Sequence, residues 1–353
     1  MGIDSRTLDL YRANGLTVAG INYIQTVRGS PPARRVGGTR FLSVACRFPS
    51  AKMGCTIQAE SRTGEYPLVL QMELDEDVIE YYDQPLALRI ARVRKGRNHV
   101  SAYTPDFLVL RSGQVEVIEV KPREAVEKAR EKYPHEWVQR GGRWVYLPIA
   151  VQFDQMGIRY YIHLAEDINA VSAANLNLLV AAKRGDPHPN EPALLKEMHK
   201  TLNSSRASTV QSLVADLTLK DASTILRWIA SRVLFAATAH QLLSDVHSAR
   251  VFADEASAAR FIAARDMPAI DGSAPCASLT DGQLEVALAR YHSALPAING
   301  ERMSTRNERR WIRSMESAVA AGHAPLHGFV PLRHKCWRRP KTDPLLRVVP
   351  IQN

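Results

Sequence analysis

The sequence predicts an α/β fold, a mixed sheet flanked by helices, followed by a mostly α-helical C-terminal region. Three observations carry that expectation. The run VEVIEV at 115–120 alternates apolar β-branched residues with acids, the period-two signature of a strand. Ser112-Gly113 separates it from the apolar run of TPDFLVL, and two small residues there suit a hairpin turn. Beyond about residue 173, strong strand runs stop and amphipathic helical periods take over.

Taken in order, residues 1–40 begin with a short helical pattern and end in VRGSPPARRVGGTR. That segment is basic and rich in Gly and Pro, and is expected to form an exposed arm. Over 41–172, strands are expected at 41–46, 78–82, 86–91, 102–111, 114–120 and 158–163, and helices at 66–74 and 123–133. KRGDPHPNEP, dense in Pro and Gly, marks a boundary. Helices at 191–202, 209–217 and 221–234 make 173–254 a helical region, with Asn203-Ser204-Ser205 and Lys220-Asp221 as turn and cap chemistry. Residues 255–353 form a basic extension with helices near 281–295 and 305–321 and a basic, aromatic tail at 328–343.

A chain of 353 residues has room for two or three domains at about 150 residues each. Its 45% hydrophobic and 23% charged residues are those of an ordinary globular protein and exclude wholesale disorder. A net charge of +10 favours an anionic partner, with nucleic acid first and an acidic membrane surface second. Cys46, Cys55, Cys276 and Cys336 contain no CxxC pair, which argues against a zinc ribbon or a secreted disulfide framework. His323, His327, His334 and Cys336 fit no standard metal spacing. MGIDSRTLDLYRANG lacks the apolar core of a signal peptide, and no stretch of about 18 apolar residues predicts a membrane span. A soluble, cytoplasmic protein is expected.

The chemistry concentrates in one hairpin. Asp106 follows Pro105 at the head of the first strand, and Glu119 and Lys121 stand two apart near the end of the second. Period-two alternation puts Glu119 and Lys121 on one face, with Val120 on the other. Hydrolysing a phosphodiester with metal ions needs carboxylates to hold the cation and a group that orients water or offsets developing charge. A surface hairpin with a Glu119–Lys121 salt bridge is the competing reading, because D…ExK patterns are common. The PD dipeptide, the single-hairpin spacing and the basic chain favour chemistry.

TPDFLV…EVIEVKP resembles the second half of the nuclease domain of TnsA-like subunits of heteromeric transposases, in the PD-(D/E)xK superfamily. Upstream, FPSAKMGCTIQAES and VLQMELDEDVIEYYDQP resemble further segments of that domain, so the likeness runs over about 41–170 in one order. It implies a restriction-endonuclease-like nuclease domain at 41–172 and a winged-helix module within 173–254. It also implies catalytic residues Glu65, Asp106, Glu119 and Lys121, with Glu65, Asp106 and Glu119 holding Mg2+, for which Mn2+ would substitute. The family often has glutamine where Glu119 stands. Glu60 and Glu65 are five residues apart where the family's spacing is four, so Glu60 competes with Glu65; Glu65 keeps the expected distance to Glu73.

The implied activity is cleavage of the non-transferred strand, at the 5′ ends of transposon DNA, in the bacterial cytoplasm. A DDE transposase would cut and join the other strand, and an AAA+ ATPase would regulate both. Partner-independent restriction or repair cleavage, and an inactive DNA-binding scaffold, are the alternatives. Side chains expected to contact DNA are Lys52, Arg94, Lys95, Arg97, Arg309, Arg310 and Arg227, the last on a recognition-type helix at 220–234 with exposed Lys220, Arg227 and Arg232. The C-terminal basic and aromatic residues suit DNA backbone contact or docking on an acidic partner.

Overall fold

The computed structural model describes residues 5–34, 46–94, 97–205, 207–265 and 303–320, with further positions between 286 and 297 and at 329. The chain falls into two compact units. Residues 1–186, with 226–231 and 241–244, form the first; residues 187–225, 232–240 and 245–353 form the second.

The first unit is built on six strands, β3 (Val78–Asp83), β6 (Phe107–Arg111), β7 (Val115–Lys121), β8 (Trp137–Arg140), β9 (Arg143–Tyr146) and β10 (Arg159–Leu164), in the order β3-β6-β7-β10-β9-β8. Only β7 and β10 run parallel, so the sheet is mixed. The β7–β10 crossover carries α4 (Arg123–Lys132), the β8–β9 hairpin and α5 (Leu147–Met156). Alternation along β6 and β7 divides two apolar cores. Leu108, Leu110, Val115 and Val117 pack with α2 (Val18–Gly29) and α5. Phe107, Val109 and Ile118 pack with α3 (Glu65–Leu74) and the hairpin of β1 (Cys46–Ser50) and β2 (Cys55–Ala59). A separate hairpin pairs β4 (Leu88–Arg94) with β5 (Arg97–Tyr103).

The structure corrects several expectations. The N-terminal segment is not an arm over 5–29: α1 (Ser5–Ala13) and α2 bury Tyr11, Ile24 and Val27 in the first core, and Tyr11 Oη donates to the Arg111 carbonyl at 2.5 Å. The strand expected at 41–46 begins at Cys46, and 41–45 lie outside the described residues. The strand expected over 102–111 breaks into β5 and β6, because Pro105 has no N–H to donate to a ladder. α6 (Ala170–Lys183) packs on α3 and belongs to the first unit, not the helical region expected from 173. The helix expected at 221–234 is shorter, α9 (Ser223–Ala230).

Around α9 the chain order is α7 (Glu191–Ser205), β11 (Ala207–Thr209), α8 (Val210–Asp216), α9, β12 (Phe235–Ala236), β13 (Arg250–Phe252) and α10 (Glu255–Arg265). The three short strands form an antiparallel sheet in the order β11-β13-β12, where no strands were expected. Among the described residues no helix is long and apolar enough to cross a membrane.

Candidate active site

The β6–β7 ladder pairs Phe107 with Ile118, and continuing that register brings Asp106 opposite Glu119. Asp106 stays there because its Oδ2 accepts the Val120 backbone N–H at 2.7 Å. Its own carbonyl accepts the Gln84 N–H at 2.9 Å. Gln84, just before Pro85, is buried with a φ of 44°. That left-handed backbone costs about 1–3 kcal/mol in a residue with a side chain, so the surrounding loop must hold it firmly. The Gln84 carbonyl accepts from Ala33 N at 2.8 Å and its Oε1 from Arg34 Nε at 3.2 Å.

Glu119 faces the α5 side of the sheet with Val115 and Val117. Lys121 Nζ donates to its Oε1 at 2.6 Å, and Tyr103 Oη donates to its Oε2 at 2.5 Å. Tyr103 also lies 3.3 Å, oxygen to oxygen, from Tyr160, whose ring stacks parallel on Phe153. Glu65 is the first residue of α3, where the helix N-terminus favours negative charge. Its Oε2 accepts the Glu60 N–H at 2.7 Å. Gly64 lets the helix start this close to the sheet: a Cβ there would lie 3.2 Å from Val120 Cγ1 and 3.3 Å from Ala165 Cβ.

Glu65, Asp106, Glu119 and Lys121 thus line one open cleft of about 710 Å³. Its ionisable lining, tyrosines aside, is Glu60, Glu65, Asp106 and Glu119 against Arg34 and Lys121. Burial pushes the Glu65 carboxyl up to about 7, with the charges of Glu60 and Glu119 adding to it against the Glu60 N–H and Arg34. Asp106 is raised well above the carboxylate range by burial first and then by Glu119 and Glu65. Glu65, then, is the acid that shares a field with Asp106. Glu60 is tied to Arg34 by an ion pair.

Do these residues fit a divalent cation? The donors are hard oxygens from three buried carboxylates that repel one another, in a cleft with more acid than base, so the set suits Mg2+ or Mn2+ in kind. The side chains are turned onto protein donors, and among the described residues no three His, Cys, Asp or Glu gather into a ready-made metal site. Glu119 would exchange a donor for the ion.

Glu73 lies outside this cleft and has another task. It is buried and accepts from Ser50 Oγ at 2.6 Å, Tyr81 Oη at 2.7 Å, Ala51 N at 2.8 Å and Lys52 N at 3.1 Å. Lys52, expected on DNA, instead donates its ammonium to the carbonyls of Met72 (2.9 Å), Val78 (2.7 Å) and Asp75. With its three protons so used, it closes the C-terminal end of α3, which gives it a structural task in place of the expected DNA contact. The FPSAKMG segment and Glu73 together form a structural staple.

Among the other expected DNA contacts, Lys95 lies outside the described residues, while the backbones of Arg94 and Arg97 pair at the end of the β4–β5 ladder. Arg227 is half-buried rather than exposed, since α9 turns Ile225, Leu226, Trp228 and Ile229 inward. Lys220 is exposed; Arg232 is exposed and paired with Glu255. Arg309 and Arg310 are exposed on α11 (Arg306–Ala320). Sequence reasoning missed Tyr103, Tyr160 and Arg34, which reach the cleft from three separate segments and leave no local pattern.

Residues 75–162 match the family model described as TnsA-like endonuclease N terminal. The chain carries a TnsA-like endonuclease domain. The match contains Asp106, Glu119 and Lys121, with Glu65 upstream of it, and points to a nuclease domain. No curated protein matches the chain.

Proposed function

We propose that the chain is the endonuclease that cuts the non-transferred strand at the 5′ ends of transposon DNA. The observation that carries this reading is the convergence of Glu65, Asp106, Glu119 and Lys121 in one cleft of a TnsA-like domain. Glu65, Asp106 and Glu119 would hold Mg2+ or Mn2+; when bound, the ion polarises the scissile phosphate and lowers the pKa of water. The chain's own groups supply position and charge. Val120 N–H fixes the carboxylate of Asp106, and Tyr103 and Lys121 fix that of Glu119. Lys121, a third exposed at the cleft, is placed to orient a water or to stabilise negative charge on the phosphorane.

Double-stranded transposon ends are the proposed substrate. A DDE transposase that cuts and joins the other strand and an AAA+ regulator are the proposed partners, in a bacterial cytoplasm. We also read α7, β11, α8, α9, β12 and β13 as a winged-helix module. Its support is the order helix, strand, two helices, two strands, with the last strand between the other two in the sheet. In that reading α9 is not the base-contacting element, because most of its side chains are buried.

The test is end-labelled transposon-end DNA with Mg2+, with and without a neighbouring DDE transposase if one is encoded. Nicking at the 5′ ends that requires the transposase is expected. Cleavage of unrelated duplexes by the chain alone would move the reading to a partner-independent restriction or repair enzyme.

A further inference from the structure

α11 carries Arg306, Arg309, Arg310 and Arg313, all exposed. At 100° per residue they fall within an arc of about 100° of the helix. The opposite side holds Glu308, buried, and Trp311, Ile312 and Met315, partly buried. Glu308 is already used: its Oε2 accepts Thr305 N at 2.8 Å while its backbone N donates to Thr305 Oγ1 at 3.3 Å, a capping box that fixes where the helix starts. Glu316 stands at the edge of the arginine arc. Among the described residues none of the four arginines makes an ion pair.

A fifth cation adjoins them. Arg290 donates to the Phe329 carbonyl at 3.1 Å and its guanidinium lies 5.4 Å over the Trp311 ring. Burial and then the charge of Arg310 lower its pKa, so Arg290 and Arg310 share a field that no described acid offsets. Holding like charges together in this way costs stability unless an anion joins them. A solvated helix face commonly mixes charges of both signs; here four arginines share one arc, with Glu316 the one acid at its edge.

We propose that the Arg306–Arg309–Arg310–Arg313 face of α11 binds the phosphate backbone of duplex DNA, without reading bases. The face rises about 10 Å along the helix. The same length of duplex presents about six phosphate charges, enough for every arginine to find one. Arginine's planar fork suits phosphate in bidentate geometry. An anchor of this kind adds affinity independent of sequence, leaving recognition of the element end to other surfaces. The proposal rests on the reading of the chain as a DNA enzyme, and its test is a binding measurement that needs no cleavage.

The full-length chain is titrated onto a fluorescent duplex of random sequence in EDTA, over a range of salt concentrations. Replacing three arginines together (Arg309→Gln, Arg310→Gln, Arg313→Gln) is expected to reduce the salt slope by about 2.7, at about 0.9 per phosphate contact. Affinity at about 0.1 M salt then falls at least tenfold. The triple lysine variant should restore most of the slope, and Glu316→Arg should raise it by about 0.9. The lysine and Glu316→Arg arms decide the matter even if the glutamine variant folds poorly. A slope indifferent to all three variants overturns the proposal and leaves the face to an acidic protein. A wild-type chain that does not bind duplex at all overturns the DNA-enzyme reading as well.

Discussion

Replacing Glu73 by alanine is expected to destabilise the first unit by about 3–5 kcal/mol. The carboxylate accepts four hydrogen bonds, and two of the donors, Ser50 and Tyr81, are buried. Each buried hydroxyl left unsatisfied costs about 1–3 kcal/mol, and the backbone N–H groups of Ala51 and Lys52, nearer solvent, add less. The assay is urea unfolding, read as a shift in midpoint at constant m. The staple also has a pH signature. Burial pushes the Glu73 carboxyl up, but hydrogen bonds from Ser50, Tyr81, Lys52 and Ala51 outweigh it and leave the group below its ordinary value. A depressed carboxyl stabilises the fold fully above its unfolded pKa, about 4.3, and that stability is lost as pH falls through the folded value. Glu73→Gln should flatten this acid limb. A loss below about 1 kcal/mol, coupled with loss of DNA cleavage, would refute the argument and return Glu73 to the chemistry.

Lys52→Met should destabilise the same unit by about 2 kcal/mol or more through three orphaned carbonyls, while duplex affinity stays unchanged; a weaker DNA complex with unaltered unfolding would reverse the assignment. For the metal-free chain, a Glu65 carboxyl raised from 4.5 to about 7 means stability that is greatest below the unfolded pKa and declines as pH rises toward 7. Mg2+ should therefore raise the melting temperature more at pH 8 than at pH 6, and an equal or larger rise at pH 6 would contradict the site.

What the sequence made legible follows from range. Asp106, Glu119 and Lys121 lie on one hairpin, where alternation over a few residues fixes which side chains share a face. Glu65 comes from a helix that reaches the hairpin only through tertiary packing, and no local spacing places it there; the resemblance supplied it. Lys52 was misread because a lysine beside a loop is ordinarily solvated, and its three carbonyl partners come from residues 20 to 26 positions away. β11, β12 and β13 have two or three residues each, too few for a period to show. The short helical pattern at the start matches α1, but α2 and the burial of both have a different obstacle: the basic Gly/Pro stretch after them dominates the character of the N-terminus.

The most direct test of the central claim is nicking of a duplex by the chain with its transposase, with Mg2+ present or chelated, for wild type, Asp106→Ala and Lys121→Ala. The account predicts divalent-dependent nicking that both variants lose by at least about 100-fold while their unfolding curves match wild type. Nicking that survives Asp106→Ala, or that proceeds in EDTA, would contradict it.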